Sequence, residues 1–470
     1  MTVARALALF LFLLLPLPSP AAANEAKDGE QDQGEAAPAV RSSFWGEVPA
    51  PSDSVTHAFE NRKRGAWEYV LLVPYQAIHI PFVVAFKTLQ GTYMVLDESG
   101  VVQKTIDLFG PREVPWGFLA SVRAGGLSGF GGGVTLYHDA FFGEHNRLKI
   151  RTKWTTTNNQ KYTLGVLFND TRPFQVQFGS GYRLRPNARF FGIGSRSRKE
   201  DESWYTQETA WAGLGFSQEL VEHIRAQASG TYSSVGTRGP EDESPAIEEQ
   251  FSVLPPGFGD RSHGVTFSLM MAFDNTLEDG RPESGTVLQA KASSYTSTAD
   301  NDVAFWTFRG NAEQFIPLWH TERALAVRAY ASWIENNSDD PVPFQRLMEN
   351  DEPDEFRGYR TLRWRDRGIA GVSIEYRFPV FAMKNRRGTG LDAYALADFG
   401  NVFDELSNAL SEEVTSSFGG GLRLISKRGF SGRLEVAHSE EETVFRIRAE
   451  QVFQYSKGGL YHGRDKSALR

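Results

Sequence analysis

The side chains of this chain that could do chemistry are charges set at every second position. Lys149, Arg151 and Lys153 share one side of a segment whose other side carries Leu148, Ile150, Thr152 and Trp154, as alternate residues of a strand must. Ser373, Glu375 and Arg377 alternate in the same way with Val372, Ile374, Tyr376 and Phe378, and Arg446, Arg448 and Glu450 alternate with Phe445, Ile447, Ala449 and Phe453. Catalytic spacings are missing. No His-Glu-x-x-His, Walker loop or EF-hand occurs, no Gly-x-Ser-x-Gly nucleophile elbow, and the nine histidines stand singly. The expectation is therefore no enzyme, no cofactor and no metal. Gly129-Phe130-Gly131-Gly132-Gly133 has only the outline of a nucleotide loop and reads as a thin-walled strand turn. The acidic runs Glu241-Asp242-Glu243, Asp351-Glu352 and Asp354-Glu355 could bind divalent cations that bridge surface lipopolysaccharide, but read first as solvated, mutually repelling loops.

Composition narrows the setting. The 470 residues contain no cysteine, which excludes a disulfide framework, a zinc-thiolate site, an iron–sulfur ligand set and a lipid-modified N-terminal cysteine. A formal net charge of −8 without a dense basic run argues against a nucleic-acid partner. A mean hydropathy of −0.38 does not exclude the membrane, because a barrel that alternates lipid-facing and lumen-facing residues averages to a polar value.

Residues 1–23 carry one positive charge, Arg5, then an apolar run from Ala6 through Leu17, then Ala21-Ala22-Ala23. This is the anatomy of a secretory signal peptide, and its removal would take the net charge to −9. Residues 24–60 are rich in Glu, Asp, Gln, Ala, Pro and Ser and read as a disordered leader. Residues 61–116 read as an N-terminal helical segment: Arg62-Lys63-Arg64 precedes an apolar stretch, Tyr69 to Phe86, kinked at Pro74 and Pro81. It suits the membrane interface or a lumen plug better than a spanning helix.

From residue 117 to 453, segments of about ten residues alternate apolar and polar side chains between clusters of Gly, Pro, Asn and Asp, the pattern of a β-barrel. The spacing predicts sixteen strands: 117–127, 130–140, 146–156, 160–169, 173–184, 203–216, 221–233, 262–274, 285–297, 303–316, 321–335, 366–378, 390–403, 414–426, 428–438 and 443–453. The connections sort by parity, with the long ones all after odd strands. Outer-membrane barrels have such long external loops and short periplasmic turns, whereas a soluble sandwich has no cause to sort its connections. The fold class is all-β: a 16-stranded antiparallel transmembrane barrel with a short N-terminal helical segment, in the outer membrane of a Gram-negative bacterium. Residues 454–470 form a C-terminal tail.

Several motifs occur in order along the last two hundred residues. Asp274-Asn275 is followed by Gly280-Arg281-Pro282-Glu283-Ser284-Gly285; Pro343-Phe344 precedes Phe356-Arg357-Gly358-Tyr359; Glu375-Tyr376-Arg377-Phe378-Pro379 and Asp398-Phe399-Gly400-Asn401-Val402-Phe403 come next. This series resembles the BamA/TamA superfamily of outer-membrane barrels, also called the bacterial surface antigen family, which includes two-partner secretion transporters. The Arg-Gly-Tyr motif falls after strand eleven of sixteen, where that family has its sixth external loop.

The resemblance implies that this loop folds into the lumen, with Arg357 paired to the inward carboxylates Glu375 and Asp398. A guanidinium clamped by carboxylates forms charge-assisted, bidentate bonds that a lysine could not copy. Gly358 would let the loop turn sharply, and Tyr359 would pack against the wall. The chain departs from better-known members in having no recognisable POTRA module, which puts client insertion in doubt. The expected function is outer-membrane protein assembly, insertion or translocation, through a weakly closed seam between first and last strands. Outer-membrane lipids and lipopolysaccharide are the expected partners, with unfolded outer-membrane clients or periplasmic factors besides. The alternative is a pore lined by Lys149, Arg151, Lys153, Arg309 and Arg446, or a passive structural barrel.

Overall fold

The computed structural model describes residues 115–448, apart from 125–129, 169–173, 277–283, 300, 319–322, 352–354, 383–389 and 426–430. The signal peptide expected at 1–23, the leader at 24–60, all but the last two residues of the helical segment expected at 61–116, and the tail at 454–470 lie outside the described residues. So does the region where a POTRA module would be sought.

Eighteen strands follow in chain order: β1 (Trp116–Ala124), β2 (Phe130–His138), β3 (Arg147–Thr155), β4 (Gln160–Phe168), β5 (Phe174–Phe190), β6 (Ser203–Val221), β7 (Ile224–Arg238), β8 (Arg261–Asp274), β9 (Gly285–Ser297), β10 (Ala304–Pro317), β11 (Ala324–Asn336), β12 (Met348–Glu349), β13 (Arg365–Asp366), β14 (Gly368–Ala382), β15 (Gly390–Phe403), β16 (Thr415–Ile425), β17 (Ser431–Ser439) and β18 (Thr443–Arg448). Sixteen of them close into one barrel in which sequence neighbours pair, β11 pairing with β14. The other two, β12 and β13, pair with each other inside the β11–β14 connection. A single-turn helix, α1 (Ile247–Gln250), lies in the β7–β8 connection. The barrel closes where β1 meets β18, with Ala124 opposite Ile447.

Alternation sends apolar side chains out. On β8, Phe267, Leu269 and Met271 are more than half exposed, and on β18 so are Phe445 and Ile447; such a surface is at ease only against lipid. Trp154, Tyr162 and Tyr182 lie side by side on β3, β4 and β5, with ring centroids 6.2 and 6.3 Å apart, as in the aromatic girdle of a membrane barrel.

Two corrections concern elements. β5 runs to Phe190, beyond the expected end at 184, with the β5–β6 register shifting between Arg185 and Ala188, and β6 runs to Val221, beyond 216, with a separate irregularity in its pairing with β7 between Glu219 and Val221. The bulge after Arg185 takes up Pro186, which has no N–H to give to a ladder. The glycines at 131–133 lie within β2 and form no turn.

The packed interior sits at the end of the barrel that carries the long connections. Phe344, Phe356, Tyr359, Leu362 and Trp364 of the β11–β14 connection bury themselves against Phe190, Tyr205, Tyr295 and Ile334 of the wall, with Ile247 of α1. This connection, residues 337–367, is here called the inward loop.

Candidate functional site

Alternation on β14 turns Ser373, Glu375 and Arg377 to the inside, all buried, and on β15 it does the same for Asp398. The inward loop brings Arg357 between them, fully buried. Its Nε donates to Asp398 Oδ2 at 2.9 Å and its backbone N–H to the same oxygen at 3.1 Å, while Nη1 donates to Glu375. A third carboxylate, Glu435 of β17, lies 3.6 Å from Nη1. Burial alone would pull this guanidinium down, but Asp398 and Glu375 hold it well above its usual value. Around it, Arg377 donates to Glu375 at 2.9 Å and Arg423 to Asp392 at 3.1 Å, and Arg433 lies 3.8 Å from Glu435. Four guanidiniums thus face four carboxylates, a balance without which burial would be prohibitive.

The next two residues of the motif are held as closely. Gly358 donates its N–H to Ser417 Oγ at 3.2 Å, and its carbonyl accepts from Ser439 Oγ at 2.8 Å. A Cβ at 358 would lie 2.5 Å from Ser417 Cβ and 3.0 Å from the His438 backbone. The glycine therefore serves close approach to β16 and β17; the left-handed residue of the turn is Phe356, at φ 49°. Tyr359 is buried, with its hydroxyl donating to Glu440 at 3.4 Å. Burial, then the neighbouring charges of Glu440 and Glu441, push this phenol up to about 12.

The loop then grips the turn between β17 and β18. Arg360 donates from Nε to both carboxylate oxygens of Glu442 and from Nη1 to Glu202, and Arg363 is bidentate on Glu441 with Nη1 on Ser197 Oγ. Arg446 of β18 donates to the carbonyl of Tyr359 at 2.7 Å.

Glu435, Ser417, Ser439 and the acidic turn Glu440-Glu441-Glu442 were not among the residues singled out from the sequence. Alternation would have found Glu435, which stands between the outward Leu434 and Val436. One expectation fails at Asp351 and Glu355, the described residues of the acidic run, which are not simply solvated. Asp351 accepts from Arg183 at 3.1 Å and from Arg185, and Glu355 is buried. Burial would raise the Asp351 carboxyl, but Arg185 and Arg183 hold it well below the usual range. The loop turns inward, so its charges meet the basic wall. Among the described residues no group of His, Asp and Glu is placed to hold a metal ion.

The family model described as the Omp85 superfamily domain matches residues 140–437. Among solved structures, BamA from Haemophilus ducreyi lacking POTRA domains 1-3 superposes with a TM-score of 0.52 at 14% identity, over 72% of this chain and 69% of that one. CdiB from Escherichia coli gives 0.51 at 13% identity, over 72% of this chain and 62% of that one, so this chain spans less than two thirds of that relative. At such identities the likeness is one of fold. No curated protein sequence matches.

Proposed function

The chain belongs to the Omp85 superfamily, and from that premise we propose that it acts in protein assembly, insertion or translocation at the bacterial outer membrane, with the β1–β18 seam as its working edge. At the level of the family this means an outer-membrane barrel whose partners are lipids and client proteins. In this chain the clamp of Arg357, Gly358, Tyr359, Glu375 and Asp398 fixes the inward loop, and the loop in turn holds the seam strand.

The observation that carries the reading is the bond from Arg446 to the Tyr359 carbonyl. Arg446 lies on β18, one residue from Ile447, which faces Ala124 across the seam. An unsatisfied strand edge in lipid costs several kcal/mol per exposed group, so an opening must be brief or matched by another strand. A loop that grips one side of the seam can set how readily it parts.

The chain lacks cysteine, so a pair introduced as Ala124→Cys with Ile447→Cys can be locked and released by oxidant and reductant alone. In cells depleted of the native protein, the locked pair should lose outer-membrane barrels from the proteome or alter lipid exposure at the surface, and reductant should restore both. A locked barrel that supports a normal membrane would remove the seam from the mechanism. The rival reading, a pore or passive barrel, rests on the luminal cations Lys149, Arg151, Lys153, Arg309 and Arg446; steady conductance in planar bilayers with no proteome change on depletion would favour it.

A further inference from the structure

The wall of β9 and β10 carries a second charged group in the lumen, built differently from the clamp. Lys291 of β9 lies directly opposite Arg309 of β10, and Ser293 lies directly opposite Thr307. Alternate residues of the same two strands, Val287, Tyr295, Phe305 and Phe315, are buried in the interior, so Lys291, Ser293, Thr307 and Arg309 face the lumen with them. Nη2 of Arg309 lies 3.9 Å from Sδ of Met348 in the inward loop. The four residues stand at the corners of a patch about 5 Å across the strands and about 7 Å along them. A single tetrahedral anion, reaching about 3 Å through each hydrogen bond, spans such a patch.

Like charges directly opposite each other weaken a sheet. In the clamp every guanidinium has a carboxylate close by. Among the described residues neither Lys291 nor Arg309 has one at ion-pair distance, and the charge that bears on Lys291 is that of Arg309 itself. The thioether of Met348 is a weak acceptor and does not offset the guanidinium. Arg309 is exposed and Lys291 half-buried, so a solute in the lumen can reach both. Ser268 of β8 lies 2.9 Å from Ser293, Oγ to Oγ. With Ser268 as the donor of that bond, the Ser293 proton is left for a ligand.

We propose that Lys291, Arg309, Ser293 and Thr307 form a luminal binding site for a dianionic phosphate group, carried by a phosphate monoester or by inorganic phosphate. The match lies in charge and in the number of bonds. A phosphate monoester carries about −1.5 to −2 at pH 7 and offers three strong acceptor oxygens, which offsets both cations where a carboxylate would offset one. The guanidinium fork and the ammonium point charge are the two side-chain groups that proteins use most on phosphate, and the two hydroxyls add donors beside them. The site depends neither on the seam nor on its opening, and its affinity falls as salt rises.

The purified full-length barrel, in a maltoside detergent at low salt, can be titrated calorimetrically with inorganic phosphate, glycerol 3-phosphate and acetate. Both phosphates should bind, and acetate should bind at least tenfold more weakly. The double variant Lys291→Gln, Arg309→Gln should weaken phosphate binding at least tenfold. It relieves repulsion between neighbours, so it should keep the heat-modifiable mobility of the folded barrel. Lys161→Gln removes another luminal cation, one that stands opposite Arg183 on a different part of the wall, and should leave phosphate binding within twofold. Glycerol 3-phosphate bound at least as tightly as inorganic phosphate would assign the site to esters, and the reverse order to the free ion. No binding of either phosphate, acetate binding as tight as theirs, unchanged binding by the folded double variant, or an equal loss in Lys161→Gln would each overturn the site.

Discussion

Arg357 and Glu435 lie 3.6 Å apart, although one comes from a loop that enters the barrel after β11 and the other from β17, near the end of the described chain. The loop is therefore tied to the terminal hairpin as well as to the strands that follow it. Three carboxylates, on β14, β15 and β17, converge on one guanidinium, so the position of the loop and the closure of the barrel are one structural fact.

Replacing Arg357 by Ala leaves Glu375, Asp398 and Glu435 buried without their shared cation. Breaking one side of a buried ion pair costs about 3–5 kcal/mol. The variant should lose its heat-modifiable mobility at a lower temperature and be cut by protease within 337–367. Arg357→Lys should recover only part of the loss, because one ammonium cannot span the separate carboxylates that the guanidinium bridges. Full protease resistance in the alanine variant would mean that the loop is held by its apolar contacts alone.

Gly358→Ala changes no charge and tests fit by itself. The added methyl would meet Ser417 and the His438 backbone, and overpacking of this kind costs about 1–3 kcal/mol. The loop should shift away from β16 and β17, seen as faster hydrogen exchange at residues 355–363 with the barrel strands unchanged. Exchange equal to that of the parent would show that the loop has slack at this point.

Asp366, on β13 of the inward loop, gives the loop a pH dependence. Its carboxyl is buried; burial pushes it up to about 6, opposed by the N–H of Arg367 and aided by the charges of Asp404 and Glu412. In an unfolded chain it would titrate near about 3.9. Below that value the group is neutral in both states, and above about 6 the folded loop must hold a charge it disfavours. Loop stability should therefore fall as pH rises from about 4 to about 6 and stay low above that. The fluorescence of Trp364 during thermal melting can follow this, and Asp366→Asn should flatten the profile between those limits. A loop that melts higher at pH 7 than at pH 5, in a manner abolished by Asp366→Asn, would reverse the sign and the argument with it.

Alternation made the barrel legible because each strand has two solvents. Phe445 and Ile447 face lipid while Arg446 faces the interior, and this contrast survives in sequence without any knowledge of neighbours. The strand bounds of β9 and β15 were readable to the residue. The extension of β5 was not, since a bulge that accommodates Pro186 depends on the register with β6. In the candidate site, the residues of the motif could be named, but their surroundings could not. That Gly358 is pressed by Ser417 and His438, and that Glu441 and Glu442 answer Arg363 and Arg360, follows from which strands a returning loop happens to meet. The pairing of Asp351 with Arg183 and Arg185 was missed for the same reason: an acidic run looks solvated until a basic wall is placed beside it.

The reach of the inward loop also orders events in time. Arg360 and Arg363 hold Glu442 and Glu441, acids that lie about eighty positions later in the chain and emerge well after them during synthesis and export. Until the β17–β18 hairpin is in place, Arg360 and Arg363 lack these two carboxylates and the loop is held only in part. Contacts so distant in sequence form late in folding, so a docked loop certifies a finished barrel, and a chain truncated before β17 should carry its own mark of incompleteness in a loop left hanging and open to proteolysis.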